Sequence, residues 1–215
     1  MKLVLLSDTH GKHHKVKVPD GDVLVHAGDC LSDGYDFREL KDFAKWFHAQ
    51  PHRHKILIAG NRDWLFEKQP HLAKEIFAGV HYLCDSGVLL KDIAGAYEDK
   101  YFWGSPYQPE FFNWAFNVPR GAELKKHWDL TPRSTNVLIT HGPPRGILDT
   151  VKAGREHLGD DDLLTAVRRV SPAVHVFGHI HGGAGVLSGW PTTFVNASVV
   201  NEAYQVVREP VQITI

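Results

Sequence analysis

The chain has 215 residues, of which 43% are hydrophobic and 23% charged, a composition typical of a globular protein with material for one substantial core. Its 24 lysines and arginines nearly balance its 25 aspartates and glutamates, which excludes the strongly basic surface that long nucleic acids require. The two cysteines are too few for a disulfide framework, which favours a reducing compartment. We therefore expect a single domain over residues 1–215.

The apolar run at the start of the chain is short, because Asp8 and His10 interrupt it well before the length of a signal-peptide core. No apolar run approaches the roughly 18 residues of a membrane-spanning helix. The sequence therefore predicts a cytoplasmic protein without a membrane partner and leaves its oligomeric state open.

Five short apolar runs are rich in β-branched residues and lack polar alternation, which predicts central strands buried on both faces. Between them, apolar residues at helical spacing and capping residues predict helices. In chain order the predicted elements are strand 3–6, strand 23–25, helix 36–48, strand 56–59, helix 120–128, strand 137–139, helix 160–170 and strand 174–177. Residues 80–104 and 184–215 contain short strand-like pieces separated by glycine and proline, which suggests either antiparallel edge strands or a second sheet. The alternation of strands and helices indicates an α/β sandwich.

Each of the five buried runs is followed, within a few residues, by a side chain that can bind a metal ion. These side chains are Asp8, His10, Asp29, Asn61, His141, His179 and His181. Ligands of open α/β sheets gather at the carboxyl ends of the strands, so we expect all seven to converge at one edge. Taken singly, each short motif is also common in ordinary turns, and only the ordered set is specific.

The same positions lie in five sequence blocks that resemble those of the calcineurin-like metallophosphoesterase superfamily. The blocks are Asp8-Thr9-His10, Gly28-Asp29, Gly60-Asn61-Arg62-Asp63, Thr140-His141-Gly142 and Gly178-His179-Ile180-His181. Further likeness, nearly over the full length, points to the small branch of metallophosphoesterase domain-containing proteins. The resemblance implies an α/β fold of the metallo-dependent phosphatase-like kind, a four-layer αββα sandwich with two mixed β-sheets.

The resemblance also implies roles for the seven residues. Asp8, His10 and His181 would hold one divalent metal ion, Asn61, His141 and His179 a second, and Asp29 would bridge both. A donor set of oxygen and imidazole without thiolate suits manganese, iron, zinc, nickel or cobalt better than calcium or magnesium, and we favour manganese. A hydroxide bridging the two ions would attack the phosphorus of a phosphate ester.

Arg62 stands where the superfamily usually has a histidine. A guanidinium stays protonated at neutral pH, so Arg62 can clamp a phosphoryl oxygen but cannot deliver a proton. The alternative interpretation is a solvated arginine or an ion pair with Asp63. A second histidine, His26, lies in a predicted strand near Asp29, where we favour a core residue satisfied by backbone over one that orients a ligand.

A cluster of aromatic and amide side chains follows residue 103 and, with Asn61 and Arg62, is predicted to contact substrate. The branch resemblance singles out Asn113, Trp114, Phe116, Asn117 and Arg120 as a substrate wall. Aromatic rings in that wall could stack on a nucleobase. Ordinary loop packing is the competing interpretation for most of them.

The leading hypothesis is a dinuclear-metal phosphodiesterase acting on cyclic nucleotides or similar small diesters, with Asp29 and Arg62 as catalytic residues. A broad phosphomonoesterase or phosphoprotein phosphatase comes next, and a nuclease ranks third because the chain has no basic excess. A nucleotide-binding regulator with vestigial activity is the alternative outside catalysis, motivated by Arg62. The predicted partner is a small phosphate ester, in particular a nucleotide.

Overall fold

Two β-sheets lie face to face in the computed structural model of the chain, which describes residues 1–91, 95, 98–151, 156–189 and 191–215. The strands, in chain order, are β1 (Lys2–Leu6), β2 (Val23–Ala27), β3 (His54–Ile58), β4 (His81–Tyr82), β5 (Ser86–Leu90), β6 (Lys100–Ser105), β7 (Gln108–Pro109), β8 (Asn117–Val118), β9 (Val137–Thr140), β10 (Thr150–Val151), β11 (Glu156–His157), β12 (Val174–Phe177), β13 (Gly185–Leu187), β14 (Thr193–Asn196) and β15 (Val211–Thr214). The α-helices are α1 (Phe37–His48), α2 (Trp64–Lys68), α3 (Pro70–Ile76), α4 (Ala122–Asp129) and α5 (Asp161–Val170).

Both large sheets are mixed. The first has the strand order β15-β1-β2-β3-β4, in which β1 to β4 are parallel and β15 is antiparallel to β1. The second has the order β13-β14-β12-β9-β6-β5, in which the four central strands are parallel and the two edge strands are antiparallel. Two short pairs, β7 with β8 and β10 with β11, lie outside these sheets.

The apolar core between the two sheets explains why the central strands lack polar alternation. On β1, Leu3 and Leu5 face the second sheet, where Phe102 and Val176 belong to the same buried cluster. Val4, the residue between them, points to the other face. Both faces of each central strand are therefore buried, and a continuous apolar run is the sequence that such a strand requires.

Helices cover the outer face of each sheet. Helix α1 packs Phe43 and Phe47 against the first sheet, together with residues of α2 and α3. Helices α4 and α5 pack Trp128 and Leu163 against the second sheet. The layer order is helix, sheet, sheet, helix, which confirms the four-layer αββα sandwich with two mixed sheets.

The helix boundaries follow their capping residues. Asp36 accepts a hydrogen bond from the backbone N–H of Arg38 at the start of α1, and Asp160 accepts one from Leu163 at the start of α5. The five predicted central strands and helices α1, α4 and α5 are confirmed to within two residues, whereas α2 and α3 were missed. In the two ranges expected to form antiparallel edges or a second sheet, β5, β13 and β15 are antiparallel edge strands, whereas β4, β6 and β14 pair parallel to β3, β9 and β12. Among the described residues, no helix combines the length and apolarity needed to cross a membrane.

Candidate metal centre

The candidate ligands all lie just beyond the carboxyl ends of parallel strands. Asp8 and His10 follow β1, Asp29 follows β2, Asn61 follows β3, His141 follows β9, and His179 and His181 follow β12. Because the two sheets are stacked with these strand ends at the same edge, side chains from both sheets meet there. Asp8 and His141 are fully buried, whereas His179 and His181 are partly exposed, the latter with 11% of its side-chain surface accessible.

The backbone is left-handed at four of these residues. The φ angle is 58° at Asp8, 43° at His10, 56° at Asp29 and 66° at His179. This conformation costs a non-glycine residue about 1–2 kcal/mol, and such strain clusters at functional sites. Backbone hydrogen bonds hold it in place, from Asp8 to the Gly28 carbonyl and from His10 to the Asp29 carbonyl, each at 3.0 Å.

Asp8, His10 and His181 form one group of possible metal donors. The Nε2 atoms of the two histidines lie 3.3 Å apart, and the His181 Nε2 lies 3.6 Å from Asp8 Oδ1. His10 Nδ1 lies 3.3 Å from the Leu31 carbonyl, to which it donates, so the lone pair of its Nε2 points toward the other two residues. Burial alone would raise the pKa of Asp8, but the hydrogen bond and charge of His181 hold that pKa well below its usual range.

Asp29, His141 and His179 form the second group, and Asn61 adds an amide oxygen. His141 Nδ1 donates to the Ala27 carbonyl at 2.9 Å, which directs Nε2 toward Asn61 Oδ1 at 2.9 Å and Asp29 Oδ2 at 3.5 Å. Burial lowers the pKa of His141, but the negative charge of Asp29 outweighs it and raises that pKa to about 9. This cluster of acceptors therefore favours a positive charge at its centre.

The donor chemistry of both groups fits divalent metal ions. In each group the carboxylate and imidazole atoms lie within 4.8 Å of one another. Asp29 Oδ2 lies 3.7 Å from His10 Nε2 as well as 3.5 Å from His141 Nε2, so one carboxylate adjoins both groups. The nearby thiol of Cys30 is a poor donor, because burial raises its pKa well above the usual value.

Asp63 lies beneath this centre and ties two of its loops together. Its carboxylate accepts backbone hydrogen bonds from Gly60 at 2.8 Å and Leu31 at 3.0 Å. Burial and the charge of Asp29 raise its pKa to about 7. The alternative of an Arg62–Asp63 ion pair is therefore wrong, since the Asp63 oxygens face these backbone groups.

His26 contacts the first ligand loop through a side chain. Its Nε2 lies 3.0 Å from the hydroxyl oxygen of Thr9, the residue between Asp8 and His10. The prediction that backbone groups satisfy His26 is wrong, because its Nε2 contacts that hydroxyl and its Nδ1 has no hydrogen-bond partner among the residues that the structure describes. Burial lowers its pKa to about 3, so the ring is neutral at pH 7.

A cleft of about 490 Å³ opens above the two ligand groups. His10, Asp29, Asn61 and Arg62 line its floor and one side. The Arg62 guanidinium lies 4.5 Å from the centroid of the Trp114 ring and donates to the Tyr204 hydroxyl at 3.1 Å. Its backbone N–H donates to Asp29 Oδ1 at 2.7 Å, which couples Arg62 directly to the ligand loop.

The residues of the predicted substrate wall occupy different places. Trp114 and Arg120 line the cleft. Asn117 donates to the carbonyls of Phe111 and Phe112 at 3.0 Å and so holds its own loop together. Asn113 is exposed outside the cleft lining, and Phe116 is buried against Tyr107.

Arg120 lines the cleft, but its guanidinium already donates hydrogen bonds to neighbouring acceptors. It donates to the carbonyls of Leu158 and Gly159 at 2.8 and 2.9 Å and to Asp160 at 3.2 Å. Its charge is therefore compensated on the protein side, which leaves Arg62 as the cleft arginine beside the ligand groups.

Tyr204 is a cleft residue that the sequence did not indicate. Its ring contacts His10 and His181 edge-on, with centroid distances of 4.8 and 5.3 Å. It lies in the turn between β14 and β15, far along the chain from every motif, and no local pattern marks it. Only the return of the chain across the edge of the sheets brings it to the site.

Comparison with known proteins shows which family has this arrangement of residues. The family model described as calcineurin-like phosphoesterase matches residues 1–183, which contain all seven candidate ligands. The chain belongs to this family. As a calcineurin-like phosphoesterase, it is a metal-dependent hydrolase of small phosphate esters that uses divalent ions.

Two curated relatives support the membership. Metallophosphoesterase domain-containing protein 1 of Homo sapiens is 40% identical over 229 aligned residues, which cover 99% of this chain and 70% of that protein. A UPF0046 protein of Caenorhabditis elegans is 38% identical over 225 residues, covering 98% of this chain and 74% of that protein.

Solved structures share the fold of this calcineurin-like phosphoesterase. One superposes with a TM-score of 0.65 at 16% identity, covering 91% of this chain and 89% of the other. The protein TT1561 of Thermus thermophilus superposes with a TM-score of 0.61 at 11% identity, covering 91% and 88%. At these identities the likeness concerns the fold alone.

Proposed function

We propose that the protein hydrolyses small phosphodiesters, cyclic nucleotides among them, with two divalent metal ions, preferably manganese. The observation that carries the proposal is the position of Asp29, whose Oδ2 lies 3.7 Å from one histidine of the first donor group and 3.5 Å from one of the second. Two cations held close together repel, and a carboxylate between them offsets that repulsion. A dinuclear centre accounts for this arrangement better than one ion does.

In this assignment the two donor groups keep separate roles. Asp8, His10 and His181 would hold one ion, Asn61, His141 and His179 would hold the other, and Asp29 would contact both. The chemistry that a bound metal pair supplies is a hydroxide nucleophile near neutral pH and positive charge beside the phosphoryl oxygens. The Leu31 and Ala27 carbonyls fix the rings of His10 and His141, so these donors are oriented before any ion binds.

Charges on the cleft wall favour a diester over a monoester. Glu110 and Glu156 both line the cleft. A phosphodiester carries one negative charge, whereas a phosphomonoester near neutral pH carries between one and two, since its second pKa is about 6. Carboxylates on the wall repel the second charge more strongly, and the charge of Arg120 is already compensated.

Arg62 and Trp114 provide the contacts for a nucleotide. The guanidinium can bind a phosphoryl oxygen while its backbone N–H stays on Asp29. Trp114 is half-buried and lines the same cleft, where its ring can stack on a base. Together they support substrate-binding roles for both residues, with Asn61 below them.

The test compares matched monoesters and diesters after metal reconstitution. The purified protein is stripped with a chelator and reloaded with manganese, iron, zinc, nickel or cobalt. The kcat/KM is then measured for bis(4-nitrophenyl) phosphate against 4-nitrophenyl phosphate, and for 3′,5′-cyclic AMP against AMP. We expect the diester to be preferred in both pairs, with manganese giving the highest rates. Equal or faster monoester turnover would refute the diester assignment.

A charge-neutral variant isolates the reason for that preference. Glu156→Gln removes one negative charge from the wall while keeping the side-chain shape. It should raise monoester kcat/KM and leave diester kcat/KM nearly unchanged. Glu98→Gln, an exposed carboxylate absent from the cleft lining, is the matched control and should change neither rate.

We place the protein in the cytoplasm. Cys30 and Cys84 are both free thiols in the structure, as expected in a reducing compartment. Fractionation of the source cells tests this location, and recovery of the protein outside the cytoplasmic fraction would refute it.

A further inference from the structure

The Tyr204 hydroxyl lies where the cleft, Arg62 and the first donor group meet. Its oxygen is 3.1 Å from Arg62 Nη2, and its ring packs edge-on against His10 and His181. The site thus presents a hydroxyl beside a cation, on a ring that contacts two candidate ligands.

The direction of the hydrogen bond determines what this hydroxyl can do. A guanidinium has only donors, so Arg62 donates and the Tyr204 oxygen accepts. The hydroxyl proton is then available for another acceptor, and the part of the chain that the structure describes provides none within hydrogen-bonding distance. A cation on the oxygen also polarises the O–H bond and makes it a stronger donor.

The turn that carries Tyr204 is held by its own hydrogen bonds. The Asn201 side-chain oxygen accepts from the backbone N–H groups of Ala203 at 3.0 Å and Gln205 at 2.9 Å. Val200 and Val206 close the turn with a β-bridge. Tyr204 itself has a positive φ of 57°, and its ring lies against His10 and His181. The hydroxyl is therefore positioned by the fold.

We propose that Tyr204 is a catalytic residue that donates a hydrogen bond to the leaving oxygen of the substrate. This inference rests on the proposed phosphodiesterase function. Arg62 cannot release a proton at neutral pH, so it binds the phosphoryl oxygens, and Tyr204 donates its hydrogen bond to the leaving oxygen. The carboxylates of the cleft wall would repel a departing alkoxide, which increases the need for a donor at that position.

The bond changes balance without a further reactant. Hydroxide forms a new bond to phosphorus while the bond from phosphorus to the leaving oxygen breaks, and the electron pair stays on the leaving oxygen. The Tyr204 O–H stabilises the charge that develops there. Water then protonates the alkoxide, so the net products of diester and water are a monoester and an alcohol.

Leaving-group dependence tests this role. Tyr204→Phe keeps the ring and its packing but removes the hydroxyl. The substrates are the 4-nitrophenyl, phenyl and ethyl esters of thymidine 5′-phosphate, whose leaving oxygens carry increasing negative charge in the transition state. We expect kcat/KM for the ethyl ester to fall on the order of 100-fold, the usual effect of losing one preorganised donor. The 4-nitrophenyl ester should change about 2-fold or less, because a nitrophenolate needs little stabilisation.

The controls separate a catalytic effect from a structural one. Metal content of Tyr204→Phe should equal that of the wild type, and Tyr35→Phe, an exposed tyrosine elsewhere, should keep the wild-type rates. Equal losses on all three esters, or no loss on any, would overturn the role of Tyr204 while leaving the phosphodiesterase proposal intact. A wild-type protein that hydrolyses none of the three esters with any metal would overturn both.

Discussion

The carboxylate of Asp29 faces one histidine from each donor group, and its other oxygen accepts the backbone N–H of Arg62 at 2.7 Å. His181, in contrast, contacts residues of the first group. Asp29→Ala should therefore reduce bound metal from two ions per chain to fewer than one, whereas His181→Ala should lose one ion and keep the other. Elemental analysis after equilibrium dialysis measures this difference. Loss of a single ion from both variants would show that Asp29 is not shared.

Trp114 lines the cleft and contacts Arg62, and within the described part of the chain its ring partners are Phe111 and Phe112 and not the candidate ligands. Trp114→Ala should raise KM about 10-fold for a nucleotide diester, the loss of roughly 1–3 kcal/mol of base stacking, and leave KM for bis(4-nitrophenyl) phosphate nearly unchanged. Metal content should stay constant. Steady-state kinetics on the two substrates makes the comparison, and equal effects on both would assign Trp114 to packing.

Among individual residues, the sequence indicated the candidate metal donors more readily than the residues that line the cleft. The seven candidate ligands were found because each follows a buried strand, and chain topology sends all such positions to one edge. Tyr204 has no such signal, because its place depends on how the segment after β14 crosses that edge. Asn117 matched the branch pattern, yet its amide holds the carbonyls of its own loop.

Elements with strong periodicity or clear caps were predicted within two residues, and short ones were not. Helix α2 has five residues and helix α3 has seven. Only Gln69 lies between them, and α3 begins with a proline. Neither completes enough turns for an apolar period to emerge. Their place is determined by packing, since Phe66 and Ala73 belong to the core cluster on the outer face of the first sheet.

Asp160 connects helix α5 to two other parts of the outer layer. One oxygen accepts from the backbone of Leu163 at 2.8 Å and from Trp128 Nε1 at 2.9 Å, and the other accepts from Arg120. Asp160→Ala removes a helix cap and leaves a buried indole N–H without its partner. Its free energy of unfolding should fall by about 2–4 kcal/mol.

Urea denaturation measures that loss. Asp36→Ala removes the corresponding cap of α1, which is exposed and serves only its own helix. It should cost clearly less than Asp160→Ala, and equal losses would show that the cap alone accounts for the effect.

The pattern of apolar residues in the strands could not predict that the molecule contains two stacked sheets. A strand buried on both faces looks the same in sequence whether helices cover both faces or a second sheet covers one. The pairing that decides between them includes β14 beside β12 and the bridge between Ser7 and Ser198. The family resemblance, and no periodicity, led to the sandwich that the structure confirms.

Stability of the whole molecule should fall in mild acid because buried histidines stay neutral in the fold. His175, on β12, is fully buried, and burial lowers its pKa from 6.5 to about 3. Between those values the unfolded chain binds a proton there and the folded chain does not. The free energy of unfolding therefore drops as the pH falls below 6.5, by about 1.4 kcal/mol per pH unit from this group.

The contribution is measured by urea denaturation of metal-free protein between pH 4 and pH 8. His175→Gln keeps a side chain that can reach the Thr140 hydroxyl, 2.8 Å from His175 Nε2, but cannot titrate. Its stability should vary less with pH than that of the wild type below pH 6.5 and in parallel with it above. Parallel curves throughout would show that His175 is protonated in the folded state.

Glycine is the residue that the backbone itself favours at Asp8, His10, Asp29 and His179, since φ is positive at all four. Replacing any one of them by glycine should relieve about 1 kcal/mol of strain in the metal-free chain while deleting a donor atom. A mutant library selected for heat resistance alone, under chelator, should therefore accumulate glycine at His10 and His179 but not at Asp8 and Asp29, whose carboxylates accept the backbone N–H groups of His179 and Arg62. A library selected for turnover should retain the native residues. Sequencing the survivors of both selections would show that evolution has kept this protein less durable than its fold allows in order to keep its metal donors.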